Sequence, residues 1–389
     1  MKEIYLDNSA TTPLSDTVKS AMREMMEIYG NPSSLHTMGQ AAQRKMEEAR
    51  RSVAQSLGLR NTQDAGKVFF CAGGTEADNL AVQGTAHAKP RRRGGRIICT
   101  DSEHSGIEKT VQALEAEGFE VVRIATKGGV LDFEQYANAL TDSVFLVSLM
   151  MVNNETGALY DIRRAFAMAK AKNPDIVTHT DAVQGYLKCR FTPQAIKADM
   201  VSVSAHKIHG PKGIGALYVS AEALKRRDLA PTVFGGGQEQ GFRSGTENML
   251  GIVGFGAAAK EGMAALASDL AHLTDLRDYA RTRLAVLPIT LNLPMGACAP
   301  HIVNLTLPDI RSETMLHALS ADGIYVSNGA ACSSHGQKTH SPLLSFGLTQ
   351  AQMESSIRVS FGRQNTREDV DALVESLARA IERLVRVKR

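Results

Sequence analysis

The sequence predicts an α/β protein: a large domain with a mostly parallel sheet flanked by helices, and a smaller α+β domain beside it. Three observations carry this expectation. From about residue 66, short β-rich runs alternate with helical stretches, the signature of βαβ units. These runs are continuously apolar rather than alternating, so their strands should be buried on both faces of the sheet. The 389 residues exceed the size at which one hydrophobic core usually stops growing, so two domains are expected.

In chain order the strand and helix pairs are "KVFFC" with "EADNLAVQGTAHA", "RIICT" with "IEKTVQALEAEG", "EVVRI" with "FEQYANAL", and "VFLVSLMMV" with "IRRAFAMAKAK", followed by "IVTHT". The runs "ADMVSVSA" and "GALYV" flank a lysine-bearing connection and continue the sheet as an antiparallel pair. After the glycine-rich "FGGGQEQGFRSGTEN" (234–248), a long helical segment occupies about 249–286, and mixed strands and helices follow. A boundary near residue 262 divides a large domain, 15–262, from a small domain made of 1–14 and 263–389. The tail "REDVDALVESLARAIERLVRVKR" has apolar residues at helical spacing and should pack as an amphipathic helix on its own domain. No internal repeat or low-complexity segment is present.

Composition narrows the function. With 43% hydrophobic and 22% charged residues, the chain reads as an ordinary soluble protein. No apolar run approaches the ~20 residues needed to span a bilayer, so a membrane span is excluded on this reading. The start "MKEIYLDNSATTP" lacks a secretory h-region, so a cytoplasmic location is expected. The 44 basic and 41 acidic side chains are too balanced for a nucleic-acid surface. The one basic run, "KPRRRGGR" (89–96), reads as a solvated loop, its rival being a docking patch for an acidic partner or RNA. Five cysteines without CxxC or zinc spacing indicate neither a disulfide framework nor a structural metal, so a special cysteine must act alone.

The chemistry gathers in loops after strands, at the sheet edge where α/β proteins bind ligands. "CAGGTEADN" opens a helix with Gly74 and Thr75, where backbone N–H groups and a hydroxyl can hold a phosphate. It lacks the GK[ST] of a nucleotide P-loop and the GxGxxG spacing, which discounts ATP and NAD. In "THTDAVQ", Asp181 ends a buried strand; it is a helix N-cap, a metal ligand with His179, or the anion that keeps a pyridine nitrogen protonated. Lys207 follows 26 residues later, at the end of the next strand. Partial desolvation there lowers a lysine's pKa and frees its amine to attack an aldehyde, although most lysines are solvated surface charges. His104 in "DSEHSG" could stack on an aromatic cofactor or simply cap a helix. A phosphate cradle, a Schiff-base lysine and a pyridinium partner together suit pyridoxal phosphate.

The series "YLDNSATTP", "GNPSSLH", "AGGTEADN", "EH", "VNNETG", "HTDAVQ", "SVSAHKIHGPKG" and "GFRSGTEN" resembles the motif series of fold-type I, class V pyridoxal-phosphate enzymes, and more narrowly cysteine desulfurases of the NifS/IscS type. The resemblance runs from residue 4 to about 363. It implies that Lys207 carries the cofactor, Asp181 pairs with the pyridinium, and His104 stacks on the ring. Gln184 and Asn154 would contact the phenolic oxygen, while Thr75, Ser204 and His206 would bind phosphate. A threonine matching Thr246 reaches the neighbouring subunit's phosphate in that family, which implies a homodimer with shared sites.

Cys332 lies in "SNGAACSSHGQKTH" (327–340), a small, polar stretch that reads as an exposed loop. Cys71 and Cys99 occupy apolar strands and read as buried thiols; Cys298 in "GACAP" is the other loop candidate, and Cys189 has no distinguishing feature. By resemblance Cys332 is the persulfide-forming cysteine, and the 26 residues from it to Arg358 fit the long-loop group. Arg358 would bind the substrate carboxylate. In "SSIRVSFG", Ile357, Val359 and Phe361 share one strand face, leaving Ser356, Arg358 and Ser360 on the other, with a solvated arginine as the plain alternative. His335 and His340 are solvated, or assist the thiolate or bind metal.

The activity implied is removal of sulfur from L-cysteine. Lys207 carries the α-proton, with His104 helping proton transfers, and the Cys332 thiolate attacks the substrate sulfur, giving alanine and a persulfide. Acceptors in the long-loop group include iron–sulfur scaffold proteins and tRNA-thiolation enzymes. The rivals are a selenocysteine lyase, an aminotransferase or β-eliminase of the same class, a cofactor-binding regulator, and a metal centre built from His179, Asp181, His206 and His209.

Overall fold

The computed structural model describes residues 3–59, 67–328 and 341–387. Strand β1 (Ile4–Tyr5) precedes helices α1 (Asp16–Met26) and α2 (Thr37–Ser56); the Ser15 hydroxyl caps α1 by accepting the Val18 N–H. Then come β2 (Val68–Cys71), α3 (Gly74–His87), β3 (Arg96–Thr100), α4 (Ser105–Ala116), β4 (Glu120–Ile124), α5 (Phe133–Ala139), β5 (Val144–Ser148), α6 (Ile162–Lys172), β6 (Val177–Asp181), β7 (Met200–Ser204) and β8 (Gly215–Val219). They build a seven-stranded sheet in the order β2-β8-β7-β6-β5-β3-β4. Strands β4, β3, β5, β6 and β7 run parallel, whereas β8 is antiparallel to both β7 and β2. Strand β2 therefore points the same way as β7, and its carboxyl end joins theirs at one edge.

The continuous apolar runs are explained by burial on two sides. Val68, Phe70, Ile98, Val147 and Val201 face a core shared with α2 and α6. Their chain neighbours Phe69, Cys71, Ile97, Cys99 and Leu146 face a second core shared with α3 and α4. Both faces of these strands are therefore covered, as a helix-flanked sheet requires.

Helix α7 (Met249–Leu284) runs unbroken for 36 residues, through residue 262. Its first half puts Ile252, Phe255 and Ala259 into the core under the large sheet, and its second half puts Leu273, Leu276 and Leu284 into another core. Gly256 lets α7 approach α2 closely, since a Cβ there would lie 2.6 Å from the Ala49 Cα. By length and composition alone this helix is apolar enough to cross a membrane, which departs from the expectation that no segment is. Its packing against α1 and α2 accounts for that apolarity.

The chain then forms β9 (Thr290–Leu291), β10 (Ile302–Thr306), α8 (Ser312–Ala321), β11 (Ile324–Tyr325), β12 (Ser327–Asn328), β13 (Ser356–Ser360) and α9 (Arg367–Val387). An antiparallel sheet β12-β13-β10-β9 and the parallel pair β1-β11 enclose a core that includes Ile4, Leu6, Ile357, Val359 and Phe361. Val370, Leu373, Leu377 and Ile381 of α9 cover it, the face expected from their spacing.

The basic run departs from the sequence reading. Arg92 is buried, donating to the Asp228 carboxylate at 2.5 Å and to the Thr85 carbonyl at 2.7 Å, and Lys89 joins the same carboxylate. Arg96 bridges to Glu120. A fully buried Asp228 needs counter-charge, so these cations are structural; Arg93 stays exposed.

Candidate active site

The carboxyl ends of β2, β3, β5, β6 and β7 open onto a cavity of about 350 Å³. Gly74, Thr75, His104, Asn154, Asp181, Gln184, Ser204, His206, Lys207 and Arg358, all singled out in the sequence, line it. A wider groove of about 780 Å³ continues outward past Gly74, Thr75, Ser204 and His206. Thr246 is exposed and lines neither space. Cys332, His335 and His340 lie outside the described residues.

Gly73 and Gly74 end the β2 connection and start α3, and a Cβ on Gly74 would meet Val183 Cγ2 at 2.7 Å. The first turn of a helix leaves its N–H groups without intrahelical partners, and here that turn borders the cavity. Beside them the Ser204 hydroxyl is buried without a hydrogen-bond partner among the described residues, and so is Asn154 Oδ1. Buried polar atoms of this kind call for a ligand.

Asp181 closes β6; one oxygen accepts the Val183 N–H at 2.8 Å. Burial raises its pKa, opposed by His104, by that N–H and by Lys207. His104 caps α4, its Nδ1 accepting the Gly106 N–H at 3.1 Å, which assigns the ring proton to Nε2. Cap and cavity roles therefore coexist in one ring, and burial lowers its pKa although Asp181 opposes this. Lys207, half-buried in a short turn after β7, donates to the backbone carbonyls of Ser9 and Ala10. His206 contacts the Thr11 hydroxyl at 3.2 Å, and burial, then Lys207, pulls its pKa down to about 4.

Arg358 arrives from the other sheet. Its guanidinium donates to Glu155 Oε1, Asp7 Oδ1 and the Asn154 carbonyl, each at 2.9 Å, so it is buried and paired rather than solvated. Burial raises the Glu155 pKa, and Arg358 pulls it back. Gln184 donates to the Ser9 carbonyl at 2.9 Å and contacts His301.

Sequence reasoning missed Asp7, Ser9, Ala10, Asp78, Glu155 and Ser327, which complete the cavity or its ion pairs. Most stood inside the quoted motifs "YLDNSATTP", "AGGTEADN" and "VNNETG". Alternation in "SSIRVSFG" signalled that Arg358 faces away from the core, but nothing local signals which carboxylates meet it.

The metal-centre reading fails on geometry. His179 spends both ring nitrogens on the Ser148 and Ser202 hydroxyls, and His209 engages the Pro13 carbonyl. His179, Asp181, His206 and His209 do not converge on one point among the described residues. Cys71 and Cys99 are buried, with burial raising both thiol pKa values. Cys298, half-buried outside the cavity, accepts hydrogen bonds from Arg277 and Arg281 at 3.4 and 3.3 Å.

A lysine, a carboxylate and an imidazole around a cavity with an anion-ready helix start and orphaned Ser204 and Asn154 atoms fit pyridoxal phosphate, and define a pyridoxal-phosphate-dependent enzyme. Residues 4–373 match the family model for aminotransferase class-V, and the chain belongs to that family. It is 38% identical to a cysteine desulfurase IscS of Clostridium botulinum over 98% of this chain and 94% of that one. A solved NifS-like protein shares 33% identity with a TM-score of 0.90, covering 98% of this chain and all of its own. SspA, solved in complex with cysteine, shares 28% identity with a TM-score of 0.78 over 92% of this chain and 99% of its own.

Proposed function

We propose that the protein is a cysteine desulfurase that converts L-cysteine to L-alanine and leaves the sulfur on Cys332 as a persulfide. The carrying observation is the joint lining of one cavity by Lys207, Asp181 and Arg358, from two different sheets. An amino acid needs both ends held, and Arg358 supplies a cation for its carboxylate beside the lysine that meets its amino group. The names of the relatives support the choice of cysteine.

Pyridoxal phosphate, when bound, supplies an electron sink for the carbon bearing the amino group. Lys207 would anchor it, Asp181 would face its ring nitrogen, and Gly74, Thr75, Ser204 and His206 would hold its phosphate. Asn154 and Gln184 would contact the phenolic oxygen. Freed by substrate, the Lys207 amine moves the α-proton, and His104, whose ring is held neutral by burial, offers Nε2–H over the cavity. Arg358 fixes the substrate's orientation, and Ser327, another cavity residue, stands five positions before Cys332 in the sequence. Cys332 Sγ takes the substrate sulfur as an S–S bond while the carbon–sulfur bond breaks and the carbon is protonated.

A cytoplasmic homodimer belongs to the same proposal. Thr246 is exposed, and the phosphate end of the cavity opens into the outer groove, where Thr246 of the partner subunit would complete the phosphate site. The persulfide would pass to an iron–sulfur scaffold protein or a tRNA-thiolation enzyme.

Intact-mass measurement of the protein and Cys332→Ser after brief L-cysteine treatment without reductant, with alanine assayed in parallel, tests the function. Alanine with a sulfur adduct lost only in the variant is the expected result. Alanine without an adduct on Cys332 would point to a lyase, and no alanine would return the aminotransferase reading.

A further inference from the structure

One buried carboxyl in the cavity has no part in the mechanism above. Asp78 sits on α3, one turn beyond the phosphate end, and is 1% exposed. Neither of its oxygens makes a close hydrogen bond among the described residues, although the Ser202 hydroxyl is near enough to favour its anion. Ligating atoms of Asp78, His104 and Asp181 lie within 4.8 Å of one another. Two ionised carboxylates that close, out of water, repel strongly, so one keeps a proton.

The surroundings decide which one. Asp181 accepts the Val183 N–H and faces Lys207 and the His104 ring, all of which favour its anion. Asp78 also lies near the His104 ring, but neither the Val183 N–H nor Lys207 acts on it. Its nearest ring is His179, Nε2 at 3.9 Å, and burial pulls that imidazole's pKa down to about 3, so it brings no cation. Glu103, buried in the turn before α4, has its own pKa pushed up to about 8 by burial and adds negative potential only once it ionises in alkali; at neutral pH burial and the Asp181 charge hold the proton on Asp78, against the nearby Ser202 hydroxyl.

We propose that Asp78 is a positioning residue that stands as a neutral carboxylic acid beside Asp181, so that a single negative charge, on Asp181, faces the ring nitrogen of the cofactor. This rests on the reading of Asp181 as the nitrogen's partner. Losing the Asp78 proton at alkaline pH puts a second charge at that end of the cavity and shifts the cofactor's protonation. An amide is neutral at every pH, so Asp78→Asn preserves the arrangement and removes the switch.

Infrared difference spectroscopy on cofactor-free protein at neutral pH reads the charge state directly. Wild type minus Asp78→Asn should show loss of a protonated-acid carbonyl band, whereas loss of a carboxylate band overturns the proposal. Asp181→Asn decides independently: it should remove a carboxylate band, and removal of an acid band means that the proton sits on Asp181 instead. On the loaded protein, Asp78→Asn should bind pyridoxal phosphate within about threefold of wild type, since a neutral donor is retained. Its cofactor absorbance should lack an alkaline step that wild type shows; identical titrations in both refute the idea. Unchanged pyridoxal phosphate affinity in Asp181→Ala would remove the underlying reading, while the infrared result for Asp78 would stand.

Discussion

Replacing Arg358 by alanine should destabilise the protein before any substrate is added. The guanidinium holds Glu155, Asp7 and the Asn154 carbonyl at 2.9 Å, and the Arg358 and Glu155 side chains are only 6% and 7% exposed. Removing one partner of a buried pair costs roughly 3–5 kcal/mol, because the other charge is stranded. With ~2 cal/mol/K of unfolding entropy per residue over 389 residues, the thermal midpoint falls by about 4–6 °C. The pH dependence has a definite sign. Burial already raises the Glu155 pKa and Arg358 is the main group pulling it back, so the variant's Glu155 titrates higher still. A carboxyl with a raised folded pKa binds its proton more tightly folded than unfolded. Stability is then lost as pH rises from the unfolded value, about 4.3, through the folded one. The deficit of Arg358→Ala should therefore be larger at about pH 8 than at about pH 5. Scanning calorimetry of both proteins across that range measures it, and Arg358→Ala combined with Glu155→Gln should recover about 1–3 kcal/mol. A midpoint unchanged by the substitution, or a deficit equal at both pH values, would refute the ion-pair account. In the same preparations the KM for L-cysteine should rise more than kcat falls.

Other consequences are open to direct measurement. Lys188 is buried with no partner for Nζ among the described residues, and burial, aided by Lys207, pulls its pKa from 10.5 down to about 7. The folded protein then holds fewer protons than the unfolded chain between those values, so a penalty of about 5 kcal/mol is full below about pH 7 and fades toward pH 10. Lys188→Met should raise the thermal midpoint at neutral pH and converge with wild type in alkali; equal gain at both would sink this account. Arg92→Ala should cost roughly 3 kcal/mol in denaturant unfolding, whereas Arg93→Ala should stay within about 0.5 kcal/mol, and equal effects would return both to a solvated loop. Lys207→Ala should lack the visible absorbance that borohydride removes from wild type, and a retained chromophore would displace Lys207 as the anchor.

What the sequence disclosed about this molecule divides by range along the chain. Features written in one short stretch were legible: the apolar runs of the sheet, the alternation that turns Arg358 away from Ile357 and Val359, the helix that begins at Met249, and the glycines before Thr75. Pairings between distant stretches were not. Arg92 looked solvated because its partner Asp228 is 136 positions away, and a cation's neighbours in sequence say nothing about a buried carboxylate that reaches it through the fold. Asp7 and Glu155 were hidden from Arg358 in the same way, by 351 and 203 positions. Asp78 shows the limit most sharply, since its spacing on α3 marks it only as a residue one turn after Thr75. What makes it consequential is that β6 delivers Asp181 to the same end of the cavity, and no local pattern encodes a meeting of two carboxyls from separate elements. Strand ends advertise a site because each must end in a loop. The charge balance inside that site depends on which ends the sheet order sets side by side, so the protonation states that tune the chemistry belong to topology rather than to motif.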